Sequence, residues 1–396
     1  MSNDALLSPP DLTTQTGEYP QSVAGPEAIN LGLGQPSPRL LPLSLLGQAA
    51  LHRFGPEGDP LQLQYGAIAG PPGFREALAA LLTERYRYSV AGGELVVTGG
   101  ISSALSFVSQ VFATSGQIVV CSDPTYFLAR GVFESQGLRT VGIPVDEGGL
   151  RVDLLEERIV RDGLRPAFIY CMPSFHNPRG VTLQPDRARR LVELAERFDF
   201  VVVADEPYVM LHLGDQPPAC MMSYDQQRGR VLSLGSFSKI LGPGLRLGWI
   251  HAEPVVLERF CQHGALRSGG GLNPVIASLV HEIIARGQLG PHIDHLRSTF
   301  AHRARALCAA LRRELPELWV PEPEGGYFVW LELPEGMDST ALLERAVEHA
   351  VRFTPGSRCA VQLDLSRYVR LCFAFYEAAE LELGVRRLAQ LLRFGA

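Results

Sequence analysis

The residues able to do chemistry fall in short stretches that follow apolar runs. SFSKILGPGLRLGW, residues 236–249, holds one lysine and one arginine among serines, glycines and apolar residues. A lysine ammonium in such surroundings loses solvation, which lowers its pKa and makes the neutral, nucleophilic amine of Lys239 accessible. Arg246 cannot be neutralised this way and stays a permanent cation suited to an anion. ELVVTGG ends on Gly100, and Ile101 and Ser102 follow it, where backbone N–H groups at a helix start can bind an anion. QIVVCSD leads to Tyr126, PAFIYCMP to Asn177, and FVVVAD ends on Asp205 with Tyr208 behind it. Each has a plain structural alternative: a strand-to-helix turn, a core ring, a turn-initiating amide, a helix-capping acid, a surface ion pair for Arg246. Taken together they set an anion cradle, a flat ring, an amide, an acid, a phenol and a lysine at successive strand ends. Packing alone does not readily produce that coincidence.

The elements that must position these residues are legible from periodicity. QIVVCSD, RTVGIPV, PAFIYCMP, FVVVAD and RVLSLGS are short and apolar on both faces, and helical patterns such as PDRARRLVELAERFD separate several of them. This alternation predicts a largely parallel sheet covered by helices on both sides, with ligands beyond the carboxyl ends of its strands. In the last third, IDHLRSTFAHRARALCAALRREL reads as one long helix. YFVWLELP and RYVRLCFAF there alternate as strands with one exposed face. The expected division is an N-terminal arm and part of a small domain over 1–48, a large domain over 49–285 and a C-terminal α+β domain over 286–396, with the N-terminal segment packing on the last.

The composition narrows the class. The 396 residues are 46% hydrophobic, enough for a large core, and the formal net charge of −6 with no long basic run argues against nucleic acid or an anionic membrane as partner. The seven cysteines are scattered without a CxxC or Cys/His cluster, which predicts reduced thiols and no metal site. The N-terminus lacks a signal-peptide pattern and no apolar run approaches membrane-spanning length, so a cytoplasmic protein is expected.

The order and spacing of these stretches resemble the class I/II aminotransferases of the fold-type I pyridoxal phosphate enzymes, nearest their aromatic and 2-aminoadipate-like subgroup. The resemblance runs from GLGQPSPRLLP to YVRLCFAF. Residues 236–249 lie close to the family signature S-x-S-K-x-x-x-P-G-x-R-x-G-W, and HNPRG, ADEPY and PEGGYFVW add further matches. It implies the fold-type I architecture, a large domain with a mostly parallel seven-stranded sheet flanked by helices plus a smaller α+β domain. It also implies pyridoxal 5′-phosphate held as a Schiff base on Lys239, and a homodimer with shared active sites.

By the same resemblance Asp205 pairs with the pyridine nitrogen, Tyr208 and Asn177 bond the ring's phenolic oxygen, and Tyr126 stacks on the ring. Gly100, Ile101, Ser102, Ser236, Ser238 and Arg246 hold the phosphate, with Tyr65 of LQYG reaching that of the neighbouring subunit. Arg370 takes the substrate carboxylate beside Asn177, Gly34 approaches the substrate, and Arg39 is a candidate in a substrate-recognition segment. Arg267 is a second candidate for the side-chain pocket. The implied reaction moves the amino group of an L-amino acid (aromatic, 2-aminoadipate-like or branched) to a 2-oxo acid such as 2-oxoglutarate. Three departures keep open a lyase, β- or γ-replacement or cyclising reaction of specialised metabolism, including one on an S-adenosylmethionine-like amino acid. Arg179 stands where NPTG has threonine, Ile101 replaces a small polar residue, and Gly269-Gly270-Gly271 can open space for a bulky substrate. A regulator with an aminotransferase-like sensing domain is the other rival, but only about thirty residues precede GLGQPSP, too few for a DNA-reading domain.

Overall fold

The structure, a computed structural model, describes residues 27–56 and 58–394, so most of the expected N-terminal arm lies outside the described residues. In chain order the strands are β1 (Ile29–Asn30), β2 (Leu95–Thr98), β3 (Ile118–Asp123), β4 (Arg139–Asp146), β5 (Gly149–Leu150), β6 (Pro166–Cys171), β7 (Val201–Asp205), β8 (Val231–Ser236), β9 (Gly248–His251), β10 (Phe328–Glu332), β11 (Val351–Arg352), β12 (Thr354–Pro355) and β13 (Tyr368–Cys372).

The main sheet runs β2-β9-β8-β7-β6-β3-β4-β5. Seven strands form its body, and the two-residue β5 adds an antiparallel hairpin at the edge of β4. From β8 through β7, β6 and β3 to β4 every pairing is parallel, while β9 runs antiparallel to both β8 and β2. β7 and β8 are buried at every position, as the all-apolar runs predict for strands with helices on both faces. The helix Pro185–Phe198 shows why: proline opens it, and its buried Ala188, Leu191, Val192, Leu194 and Ala195 make one apolar stripe. The chain passes from β3 outward to β4, then returns to β6 on the other side of β3. The crevice beyond the ends of β3 and β6 is therefore the topological switch point, where ligands bind in such sheets.

A second, antiparallel sheet has the order β10-β13-β12, and β1 pairs in parallel with β11. The helices Leu289–Glu314 and Ala378–Phe394 pack together beside it. The alternation of β10 and β13 predicts one exposed face, and the structure corrects this: of the two strands only Glu332 is exposed. One face carries Val329, Leu331, Val369 and Leu371 into the core; the other carries Phe328, Trp330 and Arg370. The polar alternation is real, but its arginine is buried because that face belongs to the crevice. Among the described residues no helix is long and apolar enough to cross a membrane, and no group of His, Cys, Asp or Glu is placed to hold a metal ion. All seven cysteines are free.

Candidate active site

Lys239 follows β8 and is half-buried; its Nζ donates to Gly34 O at 2.7 Å and lies 5.4 Å from the centre of the Tyr327 ring. Loss of water, reinforced by the guanidiniums of Arg370 and Arg246, pushes its pKa down from 10.5 to about 8 against the pull of Cys372 and Asp205. Gly34 sits tightly against the site: a Cβ there would stand 3.1 Å from Phe328 Cζ, so that ring would have to give by a few tenths of an ångström, and 3.5 Å from Arg370 Nη2, an ordinary contact.

Arg370 is buried on β13 with neutral partners only. Nη1 donates to Asn177 Oδ1 at 2.9 Å, and Nη2 donates to Gly32 O at 2.8 Å and Thr354 Oγ1 at 3.1 Å. Its guanidinium lies 4.2 Å from the Phe328 ring centre and its Nε has no partner. Among the described residues no carboxylate lies within salt-bridge distance of it. A buried cation without a counter-charge is costly unless an anion arrives to pair with it.

Asp205 ends β7. One carboxylate oxygen, Oδ2, accepts from the Tyr170 hydroxyl at 2.7 Å; the other, Oδ1, is buried and unpartnered. Burial pushes this acid up from 3.8 to about 6, against the hydroxyl of Tyr170 and the charge of Lys239. Sequence reasoning missed Tyr170, which reads as one more apolar residue of FIYC. The register carries the signal: Tyr170 pairs with Val203, so it shares a face with Asp205 two residues on. Tyr208 is buried behind Asp205, its ring 5.2 Å from that of Tyr327 and edge-on to Phe328 at 6.2 Å. Tyr126, after β3, has its hydroxyl pushed up to about 12 by burial and by Asp205.

The anion cradle forms where three strand ends meet. Gly248 pairs with both Thr98 and Ser236, which brings the starts of β9 and of the helix Ile101–Phe112 beside the segment after β8. Gly100 precedes that helix with φ +88°, and an added Cβ would lie 3.1 Å from Arg246 Nη2. Arg246 is exposed and donates to Gly99 O at 3.2 Å and Pro243 O at 3.1 Å. Its backbone takes the left-handed conformation, φ 48°, and Asn273 fixes it there by donating Nδ2 to Arg246 O and Leu245 O. Ser236 Oγ bonds both Ser238 Oγ (2.9 Å) and Ser238 N (3.0 Å). Ile101 is half-buried and Ser102 exposed in the first helical turn.

Several residues resolve differently. Tyr65 is 84% exposed and meets no member of this cluster within the chain. Arg39 is exposed and taken by Glu380 at 3.0 Å and Glu377 at 3.9 Å. Arg267 is exposed, bonding Gln262 at 3.4 Å. Arg179 ties the Asn177 loop to β4, donating to Val145 O at 2.6 Å and Glu147 Oε1 at 3.0 Å. In the same loop, burial and Arg179 push the His176 pKa down to about 3, and its neutral ring bonds Ser122 at 3.0 Å. Two of the three glycines 269–271 are closed by packing: Cβ atoms at Gly270 and Gly271 would lie 2.5 Å from Gly66 O and 2.3 Å from Ala67 O, while Gly269 has open space around it. Gly270 and Gly271 seat the loop that carries Tyr65.

This donor set fits pyridoxal phosphate. The unpartnered Asp205 Oδ1 suits a protonated ring nitrogen, the glycine-opened helix start with Arg246 suits a phosphate, and Lys239 supplies an amine. Comparisons agree. The family model Aminotransferase class I and II matches residues 29–388. The chain is 34% identical over 374 residues to aromatic-amino-acid aminotransferase 1 of Thermococcus litoralis, covering 93% of this chain and 88% of that protein. It resembles the crystal structure of Pyrococcus horikoshii kynurenine aminotransferase in complex with PMP, KYN as substrates and KYA as products, with a TM-score of 0.86 and 31% identity over 100% of this chain and 97% of that one. α-Aminoadipate aminotransferase from Thermus thermophilus, complexed with N-(5′-phosphopyridoxyl)-L-leucine, gives 0.84 and 31% identity over 93% and 92%.

Proposed function

The chain belongs to the aminotransferase class I and II family of pyridoxal phosphate-dependent enzymes, and from that premise we propose that it moves the amino group of an aromatic, 2-aminoadipate-like or branched L-amino acid to 2-oxoglutarate. The observation that carries the site reading is the meeting of the Lys239 amine, held 2.7 Å from Gly34 O, with the carboxylate-free Arg370 and the unpartnered Asp205 Oδ1. The choice of donors leans on three relatives, an aromatic-amino-acid, a kynurenine and an α-aminoadipate aminotransferase. Phe328 and Tyr327 beside Lys239 and Arg370 suit such side chains.

Bound pyridoxal phosphate supplies an electron sink that makes the substrate's Cα–H acidic. The protein's own residues do the rest. Arg370 fixes the α-carboxylate with its planar fork, in place of part of its present bonding to Gly32 and Thr354. As a neutral amine, Lys239 would take the proton from Cα of the donor and hand it to the bound cofactor, and would run the same transfer in reverse to protonate Cα of the product amino acid. Asp205 keeps the ring nitrogen protonated, and Tyr170 orients that carboxylate. Tyr208 and Asn177 would hold the cofactor's phenolic oxygen, and Tyr126 would supply a flat apolar surface for its ring. Gly100, Ile101, Ser102, Ser236, Ser238 and Arg246 grip the phosphate. Residues 49–285 are the cofactor-holding domain and 286–396 the smaller one, and the free thiols suit a reducing cytoplasm.

A lysine with a pKa near 8 is about one-tenth neutral at pH 7 and nine-tenths neutral at pH 9. The rate at which cofactor-free protein captures pyridoxal phosphate should therefore rise roughly tenfold over that interval and level off above it. A rate still climbing toward pH 10.5 would place the amine in an ordinary, solvated setting.

The partner is a second copy of this chain. Leu43, Leu51, Leu61, Leu63 and Tyr65 are 69–84% exposed along one segment, an apolar display that an isolated chain rarely leaves bare. Light scattering should give twice the chain mass, and Tyr65→Phe should weaken phosphate binding without splitting the dimer. A fully active monomer would end the shared-site reading. To test the donor class, the cofactor-loaded protein is mixed with single amino acids and each released oxo acid is quantified. Aromatic, aminoadipate or branched donors should react at least about tenfold faster than alanine or aspartate, a difference of about 1.4 kcal/mol. Equal rates would remove the proposed preference.

A further inference from the structure

The connection that follows β12 and leads to β13 is fastened to the end of β3. Asp123, buried at the last position of β3, accepts hydrogen bonds from three successive backbone N–H groups: Val361 at 2.9 Å, Gln362 at 2.8 Å and Leu363 at 2.9 Å. Thr125 donates its backbone N–H to Cys359 O at 2.8 Å, and Gln362 Oε1 accepts from Gly142 N at 2.9 Å. A carboxylate gripping three amides is a charge-assisted clasp, so the backbone around Arg358 is held in place.

Arg358 projects from this fastened segment. It is exposed, and its guanidinium carbon lies 4.5 Å from the centre of the Phe127 ring. Arg370 approaches the same ring at 5.8 Å, so the two guanidiniums are at most about 10 Å apart. Among the described residues neither has a carboxylate within salt-bridge distance. Two uncompensated cations around one ring repel each other, and an arriving anion relieves that repulsion, a dianion most of all. The Phe127 ring holds the Arg358 guanidinium by a cation–π contact and takes up none of its N–H donors, which remain able to pair with a carboxylate.

We propose that Arg358 is a second anion-recognising residue, which selects amino acids and 2-oxo acids that carry a distal carboxylate. The assignment rests on the reading of Arg370 as the partner of the α-carboxylate. Arg370 and Arg358 then hold the two ends of a five- or six-carbon diacid. Asp123 acts as a positioning residue through the clasp.

The test uses the cofactor-loaded protein and two unreactive ligands, glutarate and pentanoate, with dissociation constants from calorimetry. The wild type should bind glutarate about tenfold or more tightly than pentanoate, the scale of one charge-assisted contact. Arg358→Gln should collapse that ratio towards one, and Arg358→Lys should keep part of it. The same ratio in wild type and Arg358→Gln, or no preference in the wild type, would overturn the assignment. Arg370→Lys separates this from the underlying site reading: it should weaken both ligands alike. If it weakens neither, the α-carboxylate reading falls and this proposal with it; if it weakens both while Arg358→Gln preserves the ratio, only Arg358 is wrong.

Discussion

Lys239→Ala is expected to lower turnover by about 10⁴-fold or more, because it removes both the covalent attachment point and the base that handles the Cα proton. The substitution leaves a gap beside Gly34 O and the Tyr327 ring, and it breaks no contact that holds β8 in the sheet. The folded protein should therefore persist and still bind cofactor reversibly through the Arg246 side. Two measurements check this: steady-state transfer, and borohydride reduction followed by mass determination of the intact chain. The variant should show no mass increase from reduced cofactor, whereas wild type gains one equivalent on the peptide containing Lys239. Lys239 is the only lysine of the chain, so a borohydride-fixed cofactor in the variant would mean that the N-terminal amine is the attachment point.

Asp205→Asn separates activity from stability. The amide keeps the shape of the side chain and can still accept from Tyr170, but it cannot hold a ring nitrogen in its protonated form. Losing one preorganised charge at the reacting system costs about 10²–10³-fold in kcat. The same change should stabilise the cofactor-free chain. An acid held at about 6 instead of 3.8 is harder to ionise in the folded state, so stability is lost as pH rises from about 4 to about 6 and stays lost above that. At pH 7 this burden is about 3 kcal/mol, since each pH unit of displacement is worth about 1.4 kcal/mol. Thermal unfolding of cofactor-free Asp205→Asn at pH 7 should therefore occur several degrees above wild type, while kcat falls. A variant with unchanged kcat would put the ring-nitrogen partner elsewhere, and an unchanged melting temperature would mean that the carboxylate is already paired.

Much of this was readable in the sequence because the informative residues are local. FVVVAD announces a buried strand and a charged end in six letters, and the structure buries every residue of β7 and leaves Asp205 Oδ1 without a partner. SFSKILGPGLRLGW similarly puts Lys239 and Arg246 in the one connection between β8 and β9. What stayed hidden depends on contacts between distant segments. Tyr170 supports Asp205 only because β6 and β7 are neighbours in a given register, which no single strand reveals. The glycines 269–271 look like open space in one dimension, and only packing on Gly66 and Ala67 shows that a Cβ would not fit at Gly270 or Gly271. β10 and β13 carry the alternation of half-exposed strands, yet Arg370 is buried because its face closes the crevice. Arg179 departs from the family pattern and proves to be a strap to Val145 and Glu147.

The most direct test of amino-group transfer follows the nitrogen itself. The cofactor-loaded protein is given ¹⁵N-phenylalanine or ¹⁵N-2-aminoadipate together with unlabelled 2-oxoglutarate, and the products are resolved by mass spectrometry. The predicted result is ¹⁵N in glutamate, equimolar with the 2-oxo acid made from the donor, and no labelled ammonia above background. Labelled ammonia with no labelled glutamate would contradict it, because the machinery around Lys239 would then be eliminating the amino group instead of passing it on.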